Sequence, residues 1–202
     1  MDGSRLAVII LAGGKSSRMG EDKAGMSIKG IPLIRRIHDV ITECQDGSLT
    51  LADSIYVITP WADKYQQVLP VTCQFIAETQ PHQGALIGFA QGLSQITSTW
   101  VLLLACDLPN LSTVMIQTWI DELIQVSPQK IAYLPRNPDG KGWEPLCGFY
   151  RRSCIESLLE YINAGGRSFQ GWLAASDVTE LMVADRQILL NCNTPADLAK
   201  II

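Results

Sequence analysis

At 202 residues the chain is long enough to bury roughly 70% of its unfolded surface around a core of its own, and 47% apolar against 18% charged residues excludes a disordered or low-complexity protein. A net charge of −4 argues against nucleic acid as the main partner, because phosphate-backbone binding leaves a basic face that this sequence does not show. The apolar run Leu6 to Ala12 is too short to span a membrane and lacks a signal-peptide layout, so one cytosolic domain over 1–202 is expected.

In chain order, apolar runs of strand length alternate with amphipathic stretches, the layout of an α/β protein with a mainly parallel sheet. Strands are predicted at about 6–11, 54–59, 73–77, 100–105, 130–134, 145–150 and 179–183. Residues 31–43 form the first predicted helix, with Ile34, Ile37 and Ile41 on one face and Pro32 in its first turn. Further helices are predicted at 61–68, 84–96, 112–126, 151–163, 168–175 and 195–201, with Ser112 and Thr194 as N-caps and Pro195 at a first helical position. The Pro- and Gly-rich stretch 135–142 reads as a loop, and Lys141, Gly142 and Trp143 are candidates for part of a lid.

Six cysteines, at 44, 73, 106, 147, 154 and 192, contain no C-x-x-C pair, so neither a zinc site nor a thiol redox motif is signalled. They are expected to be small buried apolar residues. His38 and His82 cannot form a metal cluster by themselves, and His38 is expected on a surface or half-buried helix position.

The strand Val8-Ile9-Ile10-Leu11-Ala12 breaks at Gly13-Gly14, so the following loop lies at its carboxyl end, where open α/β sheets bind ligands. Adjacent glycines let backbone N–H groups approach an anion closely. Ser16 and Ser17 add hydroxyls, while Lys15, Arg18 and Lys23 place three cations nearby, a combination that suits a triphosphate. A plain tight turn with solvated cations is the competing reading. A Walker loop ending in Gly14-Lys15-Ser16 would need glycine where the chain has Ile9, and no G-x-G-x-x-G follows the strand, which disfavours a P-loop kinase or GTPase and a dinucleotide fingerprint.

Trp100 to Ala105 is the most apolar strand candidate, and it runs directly into Cys106-Asp107-Leu108-Pro109. A carboxylate at the end of a buried strand needs a hydrogen bond, a cation or a metal. Asp107 is therefore a candidate magnesium ligand bridging to nucleotide phosphate, or else a structural Asp capping the Ser112 helix or the turn before Pro109.

On Leu-Ala-Gly-Gly-x-Ser-x-Arg-Met-Gly with Asp22-Lys23, then Cys106-Asp107-x-Pro109, the chain resembles the molybdenum cofactor guanylyltransferases. The likeness continues through Gln83-Gly84-Ala85-Leu86-Ile87-Gly88, Glu144-Pro145-Leu146-Cys147-Gly148-Phe149, Gly166-Arg167-Ser168 and Asn191-Cys192-Asn193-Thr194-Pro195. The resemblance implies a Rossmann-like three-layer α/β/α nucleotidyltransferase fold, with the nucleotide site mainly in 6–110 and pterin-side elements mainly in 130–198. It implies transfer of GMP from GTP to the phosphate of molybdopterin with release of pyrophosphate, in the presence of Mg2+. By motif position, Leu11, Ala12, Gly13, Gly14, Lys23, Glu78 and Asp107 would contact GTP, and Asp107 would hold magnesium. Arg18, Lys23 and Asp107 would serve the chemistry, while Arg167, Asn191 and Asn193 would face the pterin. Implied partners are GTP and molybdopterin, with transient contact to cofactor-delivery or acceptor proteins, and neither nucleic acid nor membrane.

The chain departs from the family pattern at three places. Gln83 and Ala85 flank Gly84 where Pro-Gly-Pro-Leu is usual, Glu78 stands for an Asp, and Thr59-Pro60 ends the second strand where some members have an asparagine. The open alternatives are a sister enzyme using CTP or another small phosphate acceptor, such as a sugar phosphate, and a non-catalytic nucleotide-binding module.

Overall fold

A computed structural model describes residues 5–13, 23–45, 50–78, 83–137 and 139–192, the side chains of 23 and 50–54 excepted. The chain begins with β1 (Arg5–Leu11), then the hairpin of β2 (Ser27–Ile28) and β3 (Ile31–Pro32), α1 (Leu33–Thr42), β4 (Thr50–Thr59) and α2 (Ala62–Tyr65). It continues through β5 (Gln74–Ala77), α3 (Ala85–Leu93), β6 (Trp100–Ala105), α4 (Thr113–Glu122), β7 (Ala132–Leu134), β8 (Cys147–Arg151), α5 (Ile155–Asn163), α6 (Phe169–Leu173) and β9 (Val178–Glu180).

Seven strands form one sheet in the order β5-β4-β1-β6-β8-β7-β9. Alternate side chains leave a strand on opposite faces. In β1, Leu6, Val8 and Ile10 enter one core and Ala7 and Ile9 the other; in β6, Trp100, Leu102 and Leu104 oppose Val101 and Leu103. A strand apolar on both faces needs cover on both. Ile34, Ile37 and Ile41 of α1, Tyr65 of α2, and Ile116, Trp119 and Ile120 of α4 cover the first face. Leu86, Phe89 and Leu93 of α3, Leu158 of α5, and Phe169, Trp172 and Leu173 of α6 cover the second. The result is the three-layer α/β/α arrangement, and no helix among the described residues is long and apolar enough to cross a membrane.

Neighbouring pairs β1–β4, β1–β6 and β4–β5 are parallel, whereas β8 is antiparallel to both β6 and β7. The reversal follows from the connection: β7 reaches β8 through residues 135–146 without a helix, and a parallel pairing would need a crossover. Gly148 permits the close approach, because a Cβ there would lie 2.8 Å from the Tyr133 carbonyl oxygen.

Every predicted strand has a counterpart, with ends shifted by a few residues; the second starts earlier, at Thr50, and the last covers only Val178–Glu180. The β2–β3 hairpin was not expected. Its turn puts Lys29 at φ 51° and Gly30 at φ 82°, the left-handed pair of a tight hairpin turn, and Lys-Gly is a weak sequence signal for it. Ser112 takes the N-cap position of α4 with extended backbone but makes no capping side-chain bond. The predicted helix 195–201 and its Thr194 cap lie outside the described residues. All six cysteines are buried and unbridged. His38, expected at the surface or half-buried, is only 4% exposed, because its helix position faces the core and its Nδ1 meets Asp39 Oδ1 at 3.0 Å.

Candidate active site

The parallel ladders pair Leu11 with Ile58 on one side and with Ala105 on the other. Gly13 and Asp107 are therefore each two residues beyond a paired position, at the carboxyl edge where sheets of this topology bind ligands. This edge is stapled from within. Ala12 N–H donates to the Ile58 carbonyl at 2.9 Å, Thr59 Oγ1 donates to the Ala12 carbonyl at 2.9 Å, and Trp61 N–H donates back to Thr59 Oγ1 at 3.1 Å. Thr59 is fully buried, and its hydroxyl fixes the start of the first loop.

Glu78 follows β5, and its N–H donates to the Thr59 carbonyl at 3.4 Å. Its half-buried carboxylate occupies the space where a side chain on residue 13 would be: a Cβ on Gly13 would collide with Glu78 Oε1, and one on Gly88 of α3 would come within 3.8 Å of it. Burial raises the Glu78 pKa above the ordinary carboxylate value. Gly84 enters α3 at φ 93°, a conformation that requires glycine. This explains why the turn keeps its glycine although neither flanking residue is proline.

Asp107 occupies the turn after β6. The antiparallel register pairs Leu104 with Cys147, and Ala105 N–H continues it by donating to the Leu146 carbonyl at 2.8 Å, which brings Glu144 alongside Asp107. Burial raises the Glu144 pKa, a backbone hydrogen bond at Leu146 lowers it, and the Asp107 charge raises it. The C-terminal segment docks on the same turn: Cys192 N–H donates to the Asp107 carbonyl at 2.8 Å, and Asn110 Nδ2 donates to the Gln187 carbonyl at 3.0 Å. Cys192 also packs with Ile28 and Leu33, so the β2–β3 hairpin closes this side.

Of the predicted site residues, Leu11, Ala12, Gly13, Glu78, Asp107 and Asn191 converge on this edge. Lys23 opens a short 3-10 turn, Lys23–Gly25, and its side chain lies outside the described part. Gly14, Arg18 and Asn193 lie outside the described residues. Arg167 is held at the end of α5. Its Nη1 donates to the Ile162 and Gly166 carbonyls at 2.9 and 2.7 Å, closing the end of α5, and it borders a depression of about 400 Å³ with Gln83, Ile87 and Asn163. Neighbouring Ser168 caps α6 by accepting from Gly171 N–H at 3.3 Å.

The sequence alone assigns no role to Glu144. Its Glu-Pro-Leu context was visible, but its position beside Asp107 depends on an antiparallel pairing. Among the described residues no three His, Cys, Asp or Glu side chains come together as a metal site. Two adjacent carboxylates nevertheless match what magnesium takes from a protein when phosphate oxygens and water supply the rest.

The model of the MobA-like NTP transferase domain matches residues 8–178. The probable molybdenum cofactor guanylyltransferase of Nostoc sp. is 48% identical over 198 residues, covering 98% of this chain and 91% of the relative. That of Trichormus variabilis is 50% identical over 198 residues with the same coverage. Among solved structures, the molybdopterin-guanine dinucleotide biosynthesis protein A of Archaeoglobus fulgidus superposes with a TM-score of 0.75 at 20% identity, covering 96% of this chain and 95% of its own, a likeness of fold.

Proposed function

The chain belongs to the MobA-like NTP transferase family, and on that premise we propose that it transfers GMP from GTP to the phosphate of molybdopterin, releasing pyrophosphate. The observation that carries the reading is the pairing of Leu11 with Ala105, which sets Gly13, with Glu78 folded against it, level with Asp107 on one edge. A nucleotide held at the first meets a charge-handling group at the second. The carboxylate of Glu78 accepts hydrogen bonds only; guanine offers adjacent N1–H and N2–H donors to such a group, which favours GTP over CTP.

An oxygen of the acceptor phosphate attacks the α-phosphorus in line, the new P–O bond forms, and the bond to the β-phosphate bridging oxygen breaks with its electrons leaving on pyrophosphate. Such transfers depend on positioning and charge neutralisation more than on a covalent nucleophile. A phosphate monoester is already ionised near neutral pH, so no general base is needed. The backbone around Leu11 to Gly13 seats the nucleotide, and Thr59 keeps that backbone in place. Lys23 and Arg18, by their place in the sequence after β1, screen the phosphates. Asp107, with Glu144 alongside, would hold a magnesium ion, which supplies charge neutralisation at the transferring phosphates when bound. Asn191, next to Cys192 on the segment docked against Asp107, would face the acceptor.

The test is a titration of the nucleotide-free protein with GTP and with CTP in the presence of magnesium, followed by product analysis with molybdopterin. Preferential GTP binding and formation of a guanine dinucleotide are expected. Equal binding of CTP, or pyrophosphate release without a guanylylated pterin, would overturn the assignment.

A further inference from the structure

Beyond their paired ends, β7 and β8 continue outward as a narrow ribbon. Glu144 N–H donates to the Pro135 carbonyl at 2.8 Å, Arg136 bridges to Trp143, and Asn137 N–H donates to the Gly142 carbonyl at 3.2 Å. Because β8 runs against its neighbours, the ribbon rises from the same edge as Gly13 and Asp107. On it the Arg136 guanidinium lies over the Trp143 ring, 3.7 Å from the centroid.

Both members of this pair are held. The Trp143 indole packs against the core beneath α3, α5 and α6. Gln170 of α6 accepts from Trp143 N–H at 3.1 Å and donates to the Trp143 carbonyl at 2.6 Å. Gly142 has to be glycine for this clamp, since it takes φ 79° and a Cβ would collide with the Gln170 amide. Arg136 Nε is 3.5 Å from Glu180 Oε2, and the Arg136 side chain remains 42% exposed. The indole covers one face of the guanidinium, and the side chain as a whole stays accessible.

A guanidinium fixed flat on one ring readily takes a second flat π system on its free side. We propose that the Arg136–Trp143 pair is the stacking platform for the planar heterocycle of the acceptor. The next ribbon residue after Trp143 is Glu144, which stands beside Asp107. A pterin stacked on Arg136 can turn its phosphate-bearing side toward the reacting centre, and the cation suits an anionic acceptor at an edge where the described residues include Glu78, Asp107 and Glu144. This inference rests on the reading that the acceptor is a pterin phosphate.

The experiment compares native protein with Arg136→Lys, which keeps the charge and loses the plane, and with Trp143→Ala and Trp143→Phe. Two quantities are measured: quenching of indole fluorescence by molybdopterin in nucleotide-free protein, and the separate KM values for molybdopterin and GTP. Stacking of this kind corresponds to roughly tenfold or more in affinity. Arg136→Lys and Trp143→Ala should therefore raise the molybdopterin KM about tenfold or more and leave the GTP KM unchanged, while Trp143→Phe stays near native. A molybdopterin KM within twofold of native in folded Arg136→Lys, or parallel rises in both KM values, would overturn the platform. Native protein that makes no guanylylated product would instead overturn the proposed reaction, an outcome read before any variant is compared.

Discussion

The packing of Glu78 against Gly13 allows binding to be perturbed with little effect on folding. Gly13 does not have a positive φ, so alanine is conformationally acceptable there. Its Cβ, however, would collide with Glu78 Oε1 and stand 2.6 Å from Cδ and 3.2 Å from Oε2. Carbon contacts settle near 3.5–4.0 Å, so the carboxylate must move by roughly an ångström or more. The displaced group is the far end of a flexible, half-buried side chain, and the fold should lose well under about 1 kcal/mol by letting it swing out. If the carboxylate accepts hydrogen bonds from the nucleotide, the displacement forfeits a charge-assisted interaction of about 1.5–3 kcal/mol, which is about ten- to a hundredfold in Kd. Calorimetric GTP titrations on the native protein, Gly13→Ala, Glu78→Ala and the double variant, with thermal melts of each, measure this. Gly13→Ala should weaken GTP binding in the native background and change little once Glu78 is alanine, so the two effects are strongly non-additive. Equal costs in both backgrounds would refute the steric coupling, and unchanged affinity in Gly13→Ala would refute the role of Glu78.

Replacing Asp107 by alanine should lower the transfer rate on the order of 10²–10³-fold in a protein that melts near the native temperature; full turnover by folded Asp107→Ala would remove the metal assignment. Thr59→Val keeps the shape but leaves the Ala12 carbonyl and Trp61 N–H without the hydroxyl that joins them, so urea denaturation should show a loss of about 1–3 kcal/mol, largely restored in Thr59→Ser. Glu144 gives a pH signature. Burial, chiefly, holds its folded pKa above the ordinary 4.5, so its ionisation weakens the folded state: its contribution is complete below 4.5 and is lost as pH rises through the raised value. In magnesium-free buffer the Tm of Glu144→Gln relative to native should therefore increase between pH 4 and pH 7, and a flat or falling difference in paired melts would contradict that sign.

The first half of the site could be read from the chain itself. Val8 to Ala12 is an unbroken apolar run ending in two glycines, and Trp100 to Ala105 is another ending in an aspartate; a strand buried on both faces has to release its first polar residues at its end. The cysteines were legible for a related reason, since six scattered thiols without paired spacing are consistent with small apolar side chains, and all six are buried. Glu78 was identified by its place before the Gly84 turn, yet its contact with Gly13 could not be, because it joins residues 65 positions apart through the β1–β4–β5 ladder.

Sequence fixes what is local: periodicity, turn chemistry and the order of polar residues after apolar strands, which determined the α/β layout, the loop after β1 and the carboxylate after β6. Only tertiary structure decided which distant segments share an edge. The short, helix-free connection turns β8 around, and that reversal places Glu144 beside Asp107 and the Arg136–Trp143 pair on the rim. The same separation explains Thr59, an ordinary residue in the sequence that becomes a staple only when β4 lies against β1. Strand direction and register depend on how the whole chain buries its apolar faces, and a shift of one residue would turn every one of these side chains to the other face.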